Sequence, residues 1–393
     1  MIRRPPRSTL DRSSAASDVY KRQTQLYING EWRDSENGAE FTVWNPTSGS
    51  ELASVASGTS GDATAAVAAA AHAQTGWAAA PPRVRSEILR QCWENLLDHT
   101  DDLADLIVSE HGKPRVDAAG EVAYAAEFFR WNAEETVRIH GTIGASPSGG
   151  NKMIVHHPPV GVVVMVTPWN FPAAMITRKV APALGAGNGL VIKPPKYAPL
   201  TALRVAELLS EAGVPDGLVN VVPSQNASTV FDAAIAHKAT RMVSFTGSTE
   251  VGKILLRGCA DRVLKVAMEL GGNAPFVVFG DADLDAAVEG AMIAKMRHSA
   301  ETCTAANRFL VESSVVDTFT SKLAEAMSAV KVGNGFDPEV TCGPMIDESA
   351  VESIDRLVSA AVDGGAEAVI GGSPIEGPGY FYEPTVVTDV SAN

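Results

Sequence analysis

The sequence is poor in cysteine, in long apolar stretches and in positive charge, and each shortage removes a class of function. Only four cysteines occur in 393 residues (Cys92, Cys259, Cys303 and Cys342), none of them in a CxxC pair. That count excludes a disulfide scaffold or a cysteine-built zinc site, so no metal is expected, and it points to a reducing compartment, the cytoplasm. The longest aliphatic stretches, such as Val160–Val166, fall far short of the about 20 residues that span a bilayer. Basic residues number 32 against 46 acidic ones, a formal charge of −14. Nucleic acid and anionic membranes both demand a positive field, so neither is expected as a partner. What is present is ordinary for a folded protein: 45% apolar and 20% charged residues, in a chain long enough for two or three domains.

Residues 1–23 do not match the rest. They carry six basic and two acidic residues, while the remainder holds 26 against 44. They lack both a secretory apolar region and an amphipathic face. The string MIRRPPRSTLDRSSAASDVYKRQ resembles a translated sequencing-adapter sequence and is expected to be a non-native or disordered leader.

From residue 24 the pattern is structured. Leu26–Ile28, Asn29-Gly30 and Glu31-Trp32 read as a strand with a tight turn. Asp62 is expected to cap a helix running to about Ala80, and Ser86 a second helical region that stops at Gly112 and Pro114; a third helix is expected over about 117–140. Residues 140–159, with Ser146-Pro147-Ser148-Gly149-Gly150 at their centre, read as a protruding hairpin suited to pairing with another chain. Apolar strands at Val160–Val166, Leu190–Ile192, Val219–Val222, Met242–Phe245 and Leu264–Leu270 then alternate with helices. Strands buried on both faces and joined by helical crossovers predict an α/β fold with a doubly wound, mostly parallel sheet, which binds ligands at the carboxyl ends of its strands. A second βα alternation starts at Phe276.

Several segments are candidates for chemistry. Thr167-Pro168-Trp169-Asn170-Phe171-Pro172 follows a buried strand; Asn170 there suits an oxyanion donor or, equally, a helix cap. Gly247-Ser248-Thr249-Glu250-Val251-Gly252 opens a helix after a strand, which suits an anion but is also a common turn. Glu269 interrupts an apolar run; it is either a general base or an edge-strand glutamate facing water. Cys303 lies in a small, polar segment, Glu301–Asn307, whereas Cys92 sits on an apolar helix face and reads as core.

Taken together, Thr167–Pro172, Phe245–Gly252, Met268–Pro275 and Glu301–Arg308 resemble the signature blocks of the aldehyde dehydrogenase superfamily, in order and spacing. The resemblance runs from about residue 25 to 393. It implies a Rossmann-like cofactor domain (24–272, including the oligomerisation hairpin), a second α/β catalytic domain (273–393, incomplete), and oxidation of a small-molecule aldehyde with NAD or NADP. Cys303 matches the nucleophile, Asn170 the oxyanion donor and Glu269 the base that activates water. Thr167, Pro168, Trp169, Lys193, Lys196, Thr246, Gly247 and Ser248 match the cofactor-binding positions. Within the superfamily, the blocks at 173–179 and 271–276 are most similar to succinate-semialdehyde dehydrogenases, in which two arginines, here Arg178 and Arg297, hold the substrate's distal carboxylate. The family then implies GABA breakdown and a homo-oligomer, dimer or tetramer.

Departures from the family pattern carry their own expectations. Lys196 stands where many members have a glutamate, which favours NADP; residues 225–231 lack the usual pyrophosphate-side glycines; and Ala305 replaces a second redox cysteine. The family's later ExFGP block lies beyond Asn393, so the chain is expected to be a C-terminally truncated fragment and itself inactive. The alternatives are a dehydrogenase for glutarate semialdehyde or an aliphatic aldehyde, or a non-catalytic nucleotide-binding relative.

Overall fold

A computed structural model describes residues 24–391; the leader lies outside them. The chain opens with β1 (Leu26–Ile28) and β2 (Glu31–Arg33). Asn29 and Gly30 join them at φ 59° and 80°, the two left-handed residues that a two-residue hairpin requires. β3 (Glu40–Asn45) and β4 (Ser50–Ala56) form a separate antiparallel ribbon. Four helices follow: α1 (Ser60–Ala79), α2 (Pro82–Asp98), α3 (Thr100–His111) and α4 (Arg115–Thr136).

Two of the expected caps are displaced. Thr59, not Asp62, caps α1: the Thr59 hydroxyl accepts the Asp62 N–H while the Asp62 carboxylate accepts the Thr59 N–H. Asp62 is thus the third residue of a capping box, one turn inside. Ser86 lies within α2 and donates to the Ala133 carbonyl at 2.7 Å. The helix starts instead at Pro82, whose fixed φ suits the first turn, where its missing N–H costs nothing. Gly112, at φ 90°, closes α3 in the left-handed conformation. α4 ends four residues short of the expected 140, and β5 (Thr142–Ala145) and β6 (Lys152–Val155) then form an antiparallel hairpin whose strand residues are all exposed.

The central alternation runs β7 (Val162–Val166), α5 (Ala174–Gly185), β8 (Gly189–Lys193), α6 (Pro199–Glu211), β9 (Val219–Val221), α7 (Ala227–Ala236), β10 (Thr240–Gly247), α8 (Thr249–Ala260) and β11 (Lys265–Leu270). These strands form a seven-stranded sheet in the order β11-β10-β7-β8-β9-β1-β2, parallel from β11 to β9. Its core has two sides. Val163 and Met165 pack with Phe129, Ile176 and Leu203; Val162 and Val164 pack with Val67 and Phe231. Burial on both faces is why β7 reads as a continuous apolar run, and the doubly wound expectation is met.

Beyond the sheet, β12 (Ala274–Val278) and α9 (Leu284–Met296) lead to β13 (Ala306–Val311), which pairs in parallel with β12. α10 (Val316–Ser328) closes a smaller core of Val278, Val288, Ala291, Phe319, Leu323 and Met327. α11 (Glu348–Asp363) and the antiparallel pair β14 (Glu367–Ile370) and β15 (Val386–Thr388) complete the described chain.

Candidate active site

β7 and β10 are parallel neighbours, with Phe245 opposite Val166, so Thr167 and Thr246 follow side by side at their carboxyl ends. Both hydroxyls are buried and neither has a hydrogen-bond partner. Buried polar groups are rarely left unpaired, so each hydroxyl has room for a hydrogen bond that water or a ligand can supply. The same end of the sheet carries Lys193, the last residue of β8. Burial, then the neighbouring Lys196, pulls its ammonium down to about 8. Lys196 is exposed, its Nζ 4.6 Å from the Tyr197 ring centroid. Beside it opens a cavity of about 570 Å³ lined by Trp44, Lys196, Tyr197, Gln225, Asp347 and Tyr380. Two orphaned hydroxyls, two lysines and this cavity fit a dinucleotide laid across the strand ends.

The glycine segment has a structural explanation as well. A Cβ at Gly247 would fall 2.4 Å from the Phe245 ring, and one at Gly252 would fall 2.6 Å from Leu270. Ser248 caps α8 by accepting the Val251 N–H, the ordinary turn chemistry that its sequence allows.

Asn170 does not cap α5. Its Nδ2 donates to the Glu301 carbonyl at 2.7 Å, across 131 residues, and its own carbonyl accepts from Lys113 Nζ at 2.7 Å. The N–H groups that open α5 are bound instead by Glu121 Oε1, at 2.8 Å from Ala173 and 3.2 Å from Ala174. The carboxamide is therefore fixed against the loop that carries Cys303. Pro168 and Trp169 bring the chain there from β7, and the Trp169 ring lies 5.6 Å from His111. Of the four thiols, Cys92, Cys259 and Cys342 are buried, at 0%, 2% and 8% exposure, and Cys303 alone is exposed.

The Cys303 loop is strained. His298, Ser299 and Ala300 have φ of 51°, 55° and 65°, three consecutive left-handed residues, each costing about 1–2 kcal/mol. Contacts with distant segments hold the turn. The Asp117 carboxylate accepts the His298 N–H at 3.1 Å, the His298 ring packs 4.3 Å from Phe171, and Ser299 Oγ accepts the Gly343 N–H at 2.8 Å.

Beneath this loop lies a buried charged cluster that the sequence did not reveal. Lys113, fully buried, pairs with Glu121 at 2.7 Å, approaches His298 Nδ1 at 3.4 Å and sits 4.4 Å over the Phe171 ring. Burial, with Lys113 and Arg297 nearby, pushes His298 down to about 3. His111 and Glu301 meet at 3.1 Å, with side chains 0% and 4% exposed. Burial drives the Glu301 carboxyl well up and His111 well down, Lys113 and His298 adding to the latter. A glutamate two residues before a candidate nucleophilic cysteine was the one local signal in the sequence.

The remaining expected residues lie apart from this contact. Glu269, on β11, is exposed at the sheet edge and pairs in register with Thr246; among the described residues no hydrogen bond or ion pair joins it to Asn170 or Cys303. Arg178, on α5, is half-buried with its guanidinium 5.9 Å from the Phe128 ring. Next to it Lys179 donates to Ser244 Oγ at 3.0 Å and is pulled down to about 8, chiefly by burial and then by Arg178, while Glu269 opposes the shift. Arg297 ends α9 and is exposed. Among the described residues no cluster is placed to hold a metal ion, and no helix is long and apolar enough to cross a membrane.

Residues 32–393 match the model of the aldehyde dehydrogenase family. The chain is 55% identical to a succinate-semialdehyde dehydrogenase of Paenarthrobacter nicotinovorans over 342 residues, 87% of this chain and 76% of that one. It is 46% identical to the NADP-dependent succinate-semialdehyde dehydrogenase of Escherichia coli, covering 94% and 76%. The crystal structure of an E. coli NADP-dependent enzyme superposes with a TM-score of 0.93 at 45% identity, over 96% of this chain and 78% of that one.

Proposed function

The chain belongs to the aldehyde dehydrogenase family, and from that premise we propose that it oxidises succinate semialdehyde to succinate with NADP or NAD, through Cys303. One observation carries the reading: the Asn170 carboxamide is bonded to the loop that bears the exposed thiol.

The residues divide the work as follows. The Cys303 thiolate attacks the aldehyde carbon and forms a thiohemiacetal. Asn170 spends one amide hydrogen on Glu301 and keeps the other for the oxyanion, beside the Cys303 N–H; such a donor is worth about 3 kcal/mol. The chemistry that a bound nicotinamide would supply is acceptance of a hydride from the carbon held on the Cys303 sulfur, which leaves a thioester. Thr167, Pro168, Trp169, Thr246, Gly247 and Ser248 form the wall the nicotinamide would lie against. Lys193 and Lys196 would hold the adenosine ribose, and the exposed Lys196 ammonium favours a 2′-phosphate, hence NADP. Glu269 then activates water to hydrolyse the thioester, and its exposed position gives it direct access to that reactant. Arg178 and Arg297 grip the distal carboxylate, which an otherwise acidic protein repels. We place the enzyme in the cytoplasm, with the exposed β5–β6 hairpin, bearing Ile143, Met153 and Ile154, pairing with a second copy.

The test is steady-state kinetics on succinate semialdehyde, glutarate semialdehyde and butanal with each cofactor. Arg178→Ala and Arg297→Ala should each lower kcat/KM for succinate semialdehyde about 10–100-fold, the worth of a charged hydrogen bond, while butanal changes little. Equal losses on charged and neutral aldehydes would refute the carboxylate assignment.

A further inference from the structure

The Glu301 side chain is almost fully enclosed, yet neither of its oxygens has a hydrogen-bond partner. An ionised carboxylate in such a place would carry the full cost of desolvation with no donor to offset it. His111 Nε2 lies 3.1 Å from one of those oxygens, in ion-pair reach but out of line for a good hydrogen bond. The other ring nitrogen, Nδ1, accepts the Lys113 N–H at 3.3 Å, which leaves the neutral ring's proton on Nε2. The Glu301 backbone is held on both sides of its Cα. Its N–H donates to the His298 carbonyl at 3.1 Å and its carbonyl accepts from Asn170 Nδ2 at 2.7 Å. Cys303 follows two residues on.

We propose that Glu301, as a neutral carboxylic acid, and His111 form a buried positioning pair that pins the Cys303 loop against the Asn170 carboxamide. The inference rests on Cys303 being the nucleophile. A backbone carrying three consecutive left-handed residues needs such an anchor, because relaxing the turn would move both the carbonyl that Asn170 grips and the thiol beyond it. Burial, which disfavours charge on either partner, acts in the same direction. The titratable groups facing the pair are Lys113 after α3, His298 at the start of the loop and Cys342 after α10; Glu121 and Asp117 face Lys113 and His298 in turn. Neutrality matters for catalysis as well as for folding, since a carboxylate two residues from the thiol would oppose thiolate formation.

The experiment follows alkylation of the full chain by iodoacetamide between pH 6 and 9. Cys303, as the one exposed thiol, should react first and singly, and circular dichroism checks the fold of each variant. Glu301→Gln keeps the shape and the neutrality, so its rate–pH profile should superimpose on the parent's. Glu301→Ala and His111→Ala should each change the Cys303 rate at least fivefold, and the double variant should change it no further than either single one. A downward pH shift of the profile in Glu301→Gln would show that Glu301 is charged and overturn the proposal. So would single-variant effects that multiply, or Ala variants that react like the parent. Protection of Cys303 from alkylation by succinate semialdehyde tests the nucleophile assignment separately; its failure would undo the proposed reaction while leaving the loop measurement intact.

Discussion

Replacing Lys113 by methionine removes one ammonium and keeps most of the side chain's volume. The structure shows what is stranded. Glu121 loses its partner at 2.7 Å while remaining fully buried, the Asn170 carbonyl loses its donor at 2.7 Å, and the cation over Phe171 disappears. Breaking one side of a buried ion pair costs about 3–5 kcal/mol, because the remaining charge has no counterpart. Glu121 keeps two backbone donors at the start of α5, which places the expected loss toward the lower end of that range. Lys113→Met/Glu121→Gln removes the stranded charge and leaves an oxygen for those donors, so it should regain more than half of the loss. Urea unfolding at pH 7, with the slope unchanged and the midpoint shifted, measures both variants. A Lys113→Met midpoint within about 1 kcal/mol of the parent, the lower edge of a buried hydrogen bond's worth, would refute the account of this cluster.

Other expectations follow from single residues. Ala300 has φ 65°, so Ala300→Gly should relieve about 1–2 kcal/mol of strain against about 0.5–1 kcal/mol of extra unfolded-state entropy; urea unfolding should show equal or higher stability, where the same change at Ala133, inside α4, lowers it. Glu110 binds the Leu200 and Thr201 N–H groups that open α6, yet burial outweighs them and lifts its carboxyl to about 7. A raised pKa means that its stabilising contribution is complete below about pH 4.5 and lost as the pH climbs through 7. The urea midpoint should therefore fall between pH 5 and 8, and less steeply in Glu110→Gln; identical slopes would sink that assignment.

The parts of the fold governed by local rules were legible. The Asn29-Gly30 hairpin, the buried strands and their helical crossovers follow from turn chemistry and periodicity, which act over a few residues. The cap of α1 was misplaced by one turn because Thr59 and Asp62 satisfy each other, and either residue alone looks like a cap. Asn170 and Cys303 were recognisable as candidates, but not the bond between their segments, whose partners are 131 residues apart. The charged cluster was hidden for the same reason. Glu110, His111 and Lys113 flank a glycine that ends α3 and look like a solvated helix end. Their partners lie as far off as His298, 185 residues from Lys113. Glu269 was balanced between a base and a water-facing glutamate; the structure gives its exposed place at the sheet edge.

Glu121 reaches in two directions: one oxygen ties down the opening turn of α5, and the other grips the lysine that braces the Asn170 carbonyl. Arg178 rides on that same helix, a little more than one turn along. In the proposed reaction the guanidinium assigned to the far end of a substrate and the amide assigned to its near end thus share one rivet. On that assignment, the span between the two groups is one that a single carboxylate helps to keep constant.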